Sequence, residues 1–313
     1  MFDDLPSRLP AHIAGRLRLP LVAAPMLRVS GVELVTACCN AGIVGSFPTV
    51  NARSVEQLDD WITAIEGGRA DGAAPWAANL IMRNPRLMED VEVLVRHRVE
   101  LVITAVGSPA PVLPALKEIG ATVFADISTL HHARRAVEAG ADGLVLLSAG
   151  AGGQTGWANP FSFVRAVREF FDGPVILSGG LSDGVALRAA RVLGADLGYM
   201  GTRFIATAES MAEPGYKQML AECSLDDIQQ TKTFTGLIAN FMRPSILKAG
   251  LSMDDLDETM TQARAQTHYG SGGLERPKRW KDIWAAGHSV SGIVGAPSVA
   301  EIVAGMEAEY HGG

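Results

Sequence analysis

The stretch GADGLVLLSAGAGGQTG, residues 140–156, and its continuation GPVILSGGLSDGVALRAARVLGADLGYMGTRF, residues 173–204, decide the fold. They hold three short apolar runs, GLVLLSAG, PVILSGG and ADLGYMG, each ending in small residues or glycine, with helix-like segments between them. That alternation is the pattern of consecutive strand and helix units in a parallel sheet. Glycines at the carboxyl ends of such strands let a ligand approach the backbone, and consecutive N–H groups there can cradle a phosphate. The stretch reads as the phosphate half of a cofactor site.

The same grammar extends toward the amino terminus. LPLVAAPM (19–26), IVGSFPTV (43–50), WAANLIM (76–82), ELVITAVGS (100–108) and TVFADIST (122–129) are apolar runs of strand length. Between them lie segments of helical period: GVELVTACCNAG, SVEQLDDWITAIEGG, PRLMEDVEVLVRHRV, PAPVLPALKEIG and LHHARRAVEAG. Ser54 is placed to cap the second of these, and Gly67 and Gly68 to stop it. A weak repeat marks the joints: Ile119-Gly-Ala-Thr, Ala139-Gly-Ala-Asp and Leu193-Gly-Ala-Asp each put a glycine at a helix end just before a strand. Eight such units in about two hundred residues meet the requirement of a (β/α)8 barrel. An open doubly wound sheet would carry its phosphate glycines early in the chain, whereas here they follow strands six to eight.

The fold class expected is therefore α/β, a (β/α)8 barrel over residues 1–207 with a helical cap inserted after strand eight. Residues 208–275 show helical segments (SMAEPGYKQMLAE, SLDDIQQ, SMDDLDETMTQARAQ) without a convincing core strand, and they are read as that cap. HYGSGGLERPKRW is a polar connection, and residues 276–313 form a glycine-bearing loop and a final helix packing back on the barrel.

Composition narrows the function. The chain has 313 residues, 48% hydrophobic and 19% charged, enough for a substantial core. A formal charge of -7 argues against a nucleic-acid partner, and no basic amphipathic segment suggests a membrane surface. Cys38, Cys39 and Cys223 form neither a disulfide framework nor a metal knuckle, and the first two have the helical spacing of buried structural thiols. The amino terminus lacks the apolar core of a signal peptide, so a reducing cytoplasm is the default.

Read together, APM at 24–26, the pair Asn79 and Leu80, AGAGGQTG at 149–156, SGGLSDG at 178–184 and MGTRF at 200–204 resemble the nitronate monooxygenase family, formerly called 2-nitropropane dioxygenases. The resemblance covers nearly the whole chain, including the late AGHSVSG loop. It implies a capped barrel holding non-covalent FMN at the strand ends. Ala24, Pro25 and Met26 would lie beside the isoalloxazine, with Asn79 hydrogen-bonding near it. Gly179, Gly180, Gly201 and Thr202 would bind the phosphate, and Ala149, Gly150 and Gly153 belong to the same cofactor set. Backbone N–H groups and a hydroxyl can hold a dianion without a positive side chain, so the bare residues agree.

One position departs from the family. Its members usually read GGH after strand six, with the histidine as catalytic base or substrate-orienting group; here that position is Gln154. An amide cannot take a proton from a carbon acid near neutrality, though it can donate a hydrogen bond to an anionic oxygen. The expected activity is oxidation of alkyl nitronates with O2 as co-substrate, giving a carbonyl compound and nitrite. Two alternatives stay open: an NAD(P)H-dependent FMN reductase of quinones or enoyl thioesters, and a flavin-dependent isomerase or lyase. His131 and Asp126, at or just after strand five, are candidate replacements for the histidine, while helix surface and helix capping are their structural readings. Trp157 is the candidate substrate wall and His288 a second candidate contact; Trp76, Trp280 and Trp284 read mainly as core. Arg203 either assists the phosphate or braces the turn. No metal is expected; the partner is a small-molecule substrate, and a homodimer is compatible with the chain.

Overall fold

A computed structural model describes residues 7–270 and 277–312. Part of the polar connection, residues 271–276, and the first six residues lie outside the described residues. The strands are β1 (Leu21–Ala23), β2 (Gly45–Pro48), β3 (Trp76–Ile81), β4 (Leu101–Ala105), β5 (Thr122–Ile127), β6 (Gly143–Leu147), β7 (Gly153–Gln154), β8 (Val175–Ser178), β9 (Leu197–Met200), β10 (Ile228–Thr231) and β11 (Ala239–Met242). Eight of them form one parallel sheet in the order β1-β9-β8-β6-β5-β4-β3-β2. A parallel bridge between Val22 and Val44 closes it, with Ala23 N–H on Val44 O at 2.8 Å and Val44 N–H on Leu21 O at 3.0 Å. Closure removes both sheet edges and makes the expected (β/α)8 barrel.

Alternate residues of the strands point inward. Val22, Val44, Ala77, Ile103, Phe124, Val145, Ile176 and Leu197 fill the barrel, and Leu9 and Ile13 of the short helix Ala11–Ala14 plug its lower end. The next inward residues toward the carboxyl ends include Asn79, Asp126, Ser178 and Tyr199 beside Ala24, Ala105 and Leu147, so polar groups enter the filling one layer below the mouth. The outer faces pack against helices, including Val32–Asn40, Val55–Gly68, Leu87–Arg96 and Gly184–Leu193. Ser54 caps its helix by accepting from Gln57 N–H at 3.1 Å. Gly67 and Gly68 do not stop that helix: both lie inside it and Arg69 follows as its cap.

The glycine repeat has a structural cause. Gly120, Gly140 and Gly194 take φ of +79°, +98° and +112°, the left-handed turn that ends each helix where the next strand begins. In two copies the aspartate two residues on clamps the neighbouring strand: Asp142 accepts from Val123 N–H at 2.9 Å, and Asp196 from Val175 N–H at 2.8 Å. Fully buried Asp196 also takes the Arg168 guanidinium at 2.6 Å and the Arg8 N–H at 2.8 Å, which ties the amino-terminal segment to the barrel.

Beyond the barrel the chain carries the helices Pro214–Glu222 and Gln262–Tyr269, which overlap two of the segments read as helical, and also the helix Arg243–Lys248 and strands that the reading did not contain. β10 pairs antiparallel with β11, and β11 with β7 in the loop after β6. SLDDIQQ is therefore one 3-10 turn, Leu225–Asp227, running into β10. Ser224 and Asp227 form the reciprocal capping box of a helix start, but the following residues extend and pair. The final helix, Val299–His311, opens on a Ser298–Glu301 capping box and packs on Gly184–Leu193. Among the described residues no helix is long and apolar enough to cross a membrane.

Candidate functional site at the barrel mouth

The carboxyl ends of the strands surround a cavity of about 650 Å³. After β1 the chain turns through Ala24, Pro25 and Met26, which line one wall. Asn51 fixes that turn by donating to Met26 O at 2.9 Å and to Ser30 O at 2.8 Å, while the Ser30 hydroxyl accepts from Met26 N–H at 3.0 Å. Buried Asn79, in β3, lines the cavity and donates to Ile103 O at 3.0 Å, so its amide oxygen remains an acceptor.

The adjoining wall is built of glycine, and a methyl on Gly201 would lie 3.3 Å from Met26 Sδ. Gly179 and Gly180 follow β8 with φ of +114° and +74°, and Gly150 and Gly153 follow β6 with +91° and +65°; all four line the cavity with Gly201 and Thr202. Successive backbone N–H groups in glycine turns of this kind can form an anion nest. The tail loop holds this wall in place. Gly287 N–H donates to the Thr202 hydroxyl at 2.9 Å, and His288 N–H to Gly150 O at 2.9 Å. As an acceptor there, Thr202 retains its own O–H to donate. Ala149 is not part of the wall; its N–H donates to Ala158 O at 2.8 Å. Arg203 braces the tail by donating to Gly292 O at 3.1 Å, and it does not line the cavity.

The floor carries the clearest mark of a ligand site. Asp126 Oδ1 and the Tyr199 hydroxyl are buried with no hydrogen-bond partner. Each such atom costs about 1–3 kcal/mol, so the floor is built for a ligand with a polar edge. Burial pushes the Asp126 carboxyl up to about 7. Burial, and then Asp126, hold the Tyr199 phenol well above its ordinary value. A flat ring with alternating N–H and carbonyl groups, attached to a phosphate, fits what is present: unsatisfied atoms below, an acceptor on Asn79, and a cradle of glycine and threonine at the side.

Gln154 is half-buried and lines the cavity, with its backbone held by pairing of β7 to Ala239 of β11. Of the four other catalytic and substrate candidates, Asp126 lines the cavity and three lie elsewhere. Trp157 is 75% exposed and off the cavity wall. His131 is exposed on the helix Leu130–Ala139. His288 is exposed too, and only its neighbour Ser289 reaches the wall. The aromatic wall is Trp280, whose ring packs 5.4 Å from that of Phe241 and over Gly153. Trp76 is core beside Phe47, and Trp284 stacks on Tyr216 at 5.1 Å. Burial pushes the Cys39 thiol up to about 11 and Cys38 well up, so both are inert packing groups.

Tyr199, Arg83 and Arg279 also line the cavity and escaped the sequence reading. The inward period of the last barrel strand is a signal for Tyr199. Nothing local marks the arginines.

An eight-stranded barrel with an anion nest after its last strands is the frame of a phosphate-cofactor enzyme. The sequence profile of nitronate monooxygenase matches residues 77–306, and the chain belongs to that family of oxidoreductases. It is 26% identical to a nitronate monooxygenase of Paraburkholderia phytofirmans, over 93% of this chain and 92% of that one. It is 30% identical to a (3aS,4S,5R,7aS)-5-hydroxy-7a-methyl-1-oxo-octahydro-1H-indene-4-carboxyl-CoA dehydrogenase of Mycobacterium tuberculosis over 73% of its own length, and the match spans 64% of that protein. The structure of FabK from Thermotoga maritima superposes with a TM-score of 0.80 at 26% identity, covering 98% of this chain and 96% of that one.

Proposed function

We propose that this chain is an FMN-dependent oxidoreductase that oxidises alkyl nitronates with O2 to a carbonyl compound and nitrite. The observation that carries the reading is the pairing, in one cavity, of a glycine nest without cationic side chains and a floor with two unsatisfied polar atoms. Gly179, Gly180, Gly201 and Thr202 would hold the phosphate, Asn79, Asp126 and Tyr199 the ring edge, and Ala24 to Met26 its flank. FMN, when bound, supplies the electron transfer to oxygen. The protein positions the substrate and shields it from water. Gln154 donates from its carboxamide to an anionic oxygen of the substrate, and Trp280 walls the apolar part.

Because Gln154 cannot accept a proton near neutrality, the substrate enters already ionised. Steady-state kcat/KM at matched concentrations should favour nitronate over the neutral nitroalkane by about a hundredfold or more, the scale of a missing general base. Gln154→His should narrow the gap from the nitroalkane side. Equal turnover of the two forms by the unaltered protein would refute the reading.

A dehydrogenase or reductase acting on an acyl thioester is the second reading, supported by the relative from Mycobacterium tuberculosis. Reduction of the bound flavin by NADH or NADPH without oxygen, and not by nitronate, would select it.

A further inference from the structure

The cavity has a second polar end. Arg83 lies just past β3, which in the closed barrel is four strands from β8 in either direction, directly across the mouth from the glycine nest. The helix Gln262–Tyr269 passes over that side with Gln262 and Gln266 one turn apart on one face. Gln262 accepts from Arg83 Nη1 at 2.7 Å. Gln266 accepts from Arg279 Nη2, whose Nη1 donates to Phe234 O at 3.2 Å. All four side chains line the cavity.

Two guanidiniums are thus steered to one rim by neutral carboxamides, and among the described residues neither has a carboxylate partner. Burial lowers the Arg279 pKa from its ordinary value, a cost that an anion at this rim would offset. Each guanidinium has five N–H donors and spends only one or two on the protein.

We propose that this rim is a phosphate subsite: in the nitronate reading the substrate itself, and in the thioester reading the substrate or its nicotinamide co-substrate, carries a phosphate or pyrophosphate at the end remote from the reacting carbon. Two positive charges and forked donors suit a dianion better than a single carboxylate. The inference rests on the flavin reading, in which the cofactor's own phosphate fills the glycine nest and leaves the arginine rim for a second anion. A coenzyme A thioester and NADPH both supply that chemistry.

Calorimetric titration of FMN-loaded protein with inorganic pyrophosphate and with glutarate tests it. Pyrophosphate should bind at least about tenfold more tightly than glutarate. Arg83→Gln should weaken it by about tenfold, the scale of one charge-assisted bond, and Arg83→Gln with Arg279→Gln should abolish it. Arg279→Lys should retain part of the affinity. Arg83 is exposed and makes one hydrogen bond, so its variant folds even if Arg279→Gln does not. Titration of coenzyme A and of NADPH then identifies the source as whichever shows the same dependence on arginine. Unchanged pyrophosphate affinity in the double variant, equal binding of glutarate, or no arginine dependence with either large ligand would overturn the proposal. Failure to retain FMN would refute the flavin reading instead. The same comparison of variants on cofactor-free protein would still decide whether the rim binds phosphate.

Discussion

Asp126 joins stability to chemistry in one side chain. It stands one inward step above Phe124, where the barrel filling gives way to the cavity, and burial holds its pKa at about 7 against an ordinary value of 3.8. Between those values the folded chain keeps a proton that the unfolded chain has released. Stability contributed by this group therefore falls as pH rises from about 4 to about 7 and is flat above. Asp126→Asn, a neutral isostere, removes that slope. Its stability relative to the unaltered protein should rise across this window by about 4 kcal/mol at most, read from urea midpoints at several pH values. Parallel pH profiles would show that Asp126 is not protonated at its buried position. Asp126 stood out in the sequence because a strand terminus in a barrel puts its side chain at the mouth, whereas Asn79 and Thr202 stood out only through the resemblance of their motifs. Trp157 misled because the chain after Gln154 returns to the end of β6, where Thr155 donates to Ser148 O at 2.9 Å, and nearness in sequence did not become nearness in space.

At the scale of elements, the loops after β6 and β8 are shaped by backbone more than by side chains. A methyl at Gly179 would sit 2.4 Å from Ser148 Oγ and 2.7 Å from Ala149 O, while one at Gly180 would meet nothing within 4 Å. Gly180→Ala then costs only its left-handed backbone, about 1–2 kcal/mol. Gly179→Ala adds a clash that displaces the loop. Flavin retention on gel filtration should be lost in Gly179→Ala, and thermal unfolding should show Gly180→Ala as the milder fold defect. The β7-β10-β11 sheet supports the neighbouring loop: buried Asn240 donates to Ala151 O at 2.7 Å. Asn240→Ala leaves that carbonyl unpaired and should cost about 1–3 kcal/mol in chemical denaturation. This sheet was the least legible part of the fold. Ala239–Met242 is fully buried, so it has no alternation, and the capping box at Ser224 imitates a helix start.

For the molecule as a whole, the last helix closes the structure. A methyl on Gly184 would lie 2.0 Å from Met306 O, so the helices Gly184–Leu193 and Val299–His311 touch through backbone, and Glu309 accepts from Gly184 N–H at 2.8 Å. Gly184→Ala should destabilise by about 3 kcal/mol through overpacking. Gly305→Ala, in the same final helix with nothing within 4 Å, should stabilise by about 0.5–1 kcal/mol. Calorimetric melting of both variants checks the contrast. The barrel was legible from end to end because each strand is a short apolar run and three of the joints repeat one glycine turn. The arginine rim was not, since Arg83 and Arg279 are far apart in sequence and meet only through the helix Gln262–Tyr269.

The central claim is that the mouth cavity holds FMN and that its substrate arrives as a nitronate. An anaerobic titration of the purified, FMN-loaded protein with propyl-1-nitronate, followed at the absorbance band of oxidised flavin, tests both parts at once. The account predicts a yellow protein whose band bleaches on adding nitronate and returns on admitting oxygen. A protein that retains no FMN, or one whose band responds to NADH or NADPH and never to nitronate, would contradict it.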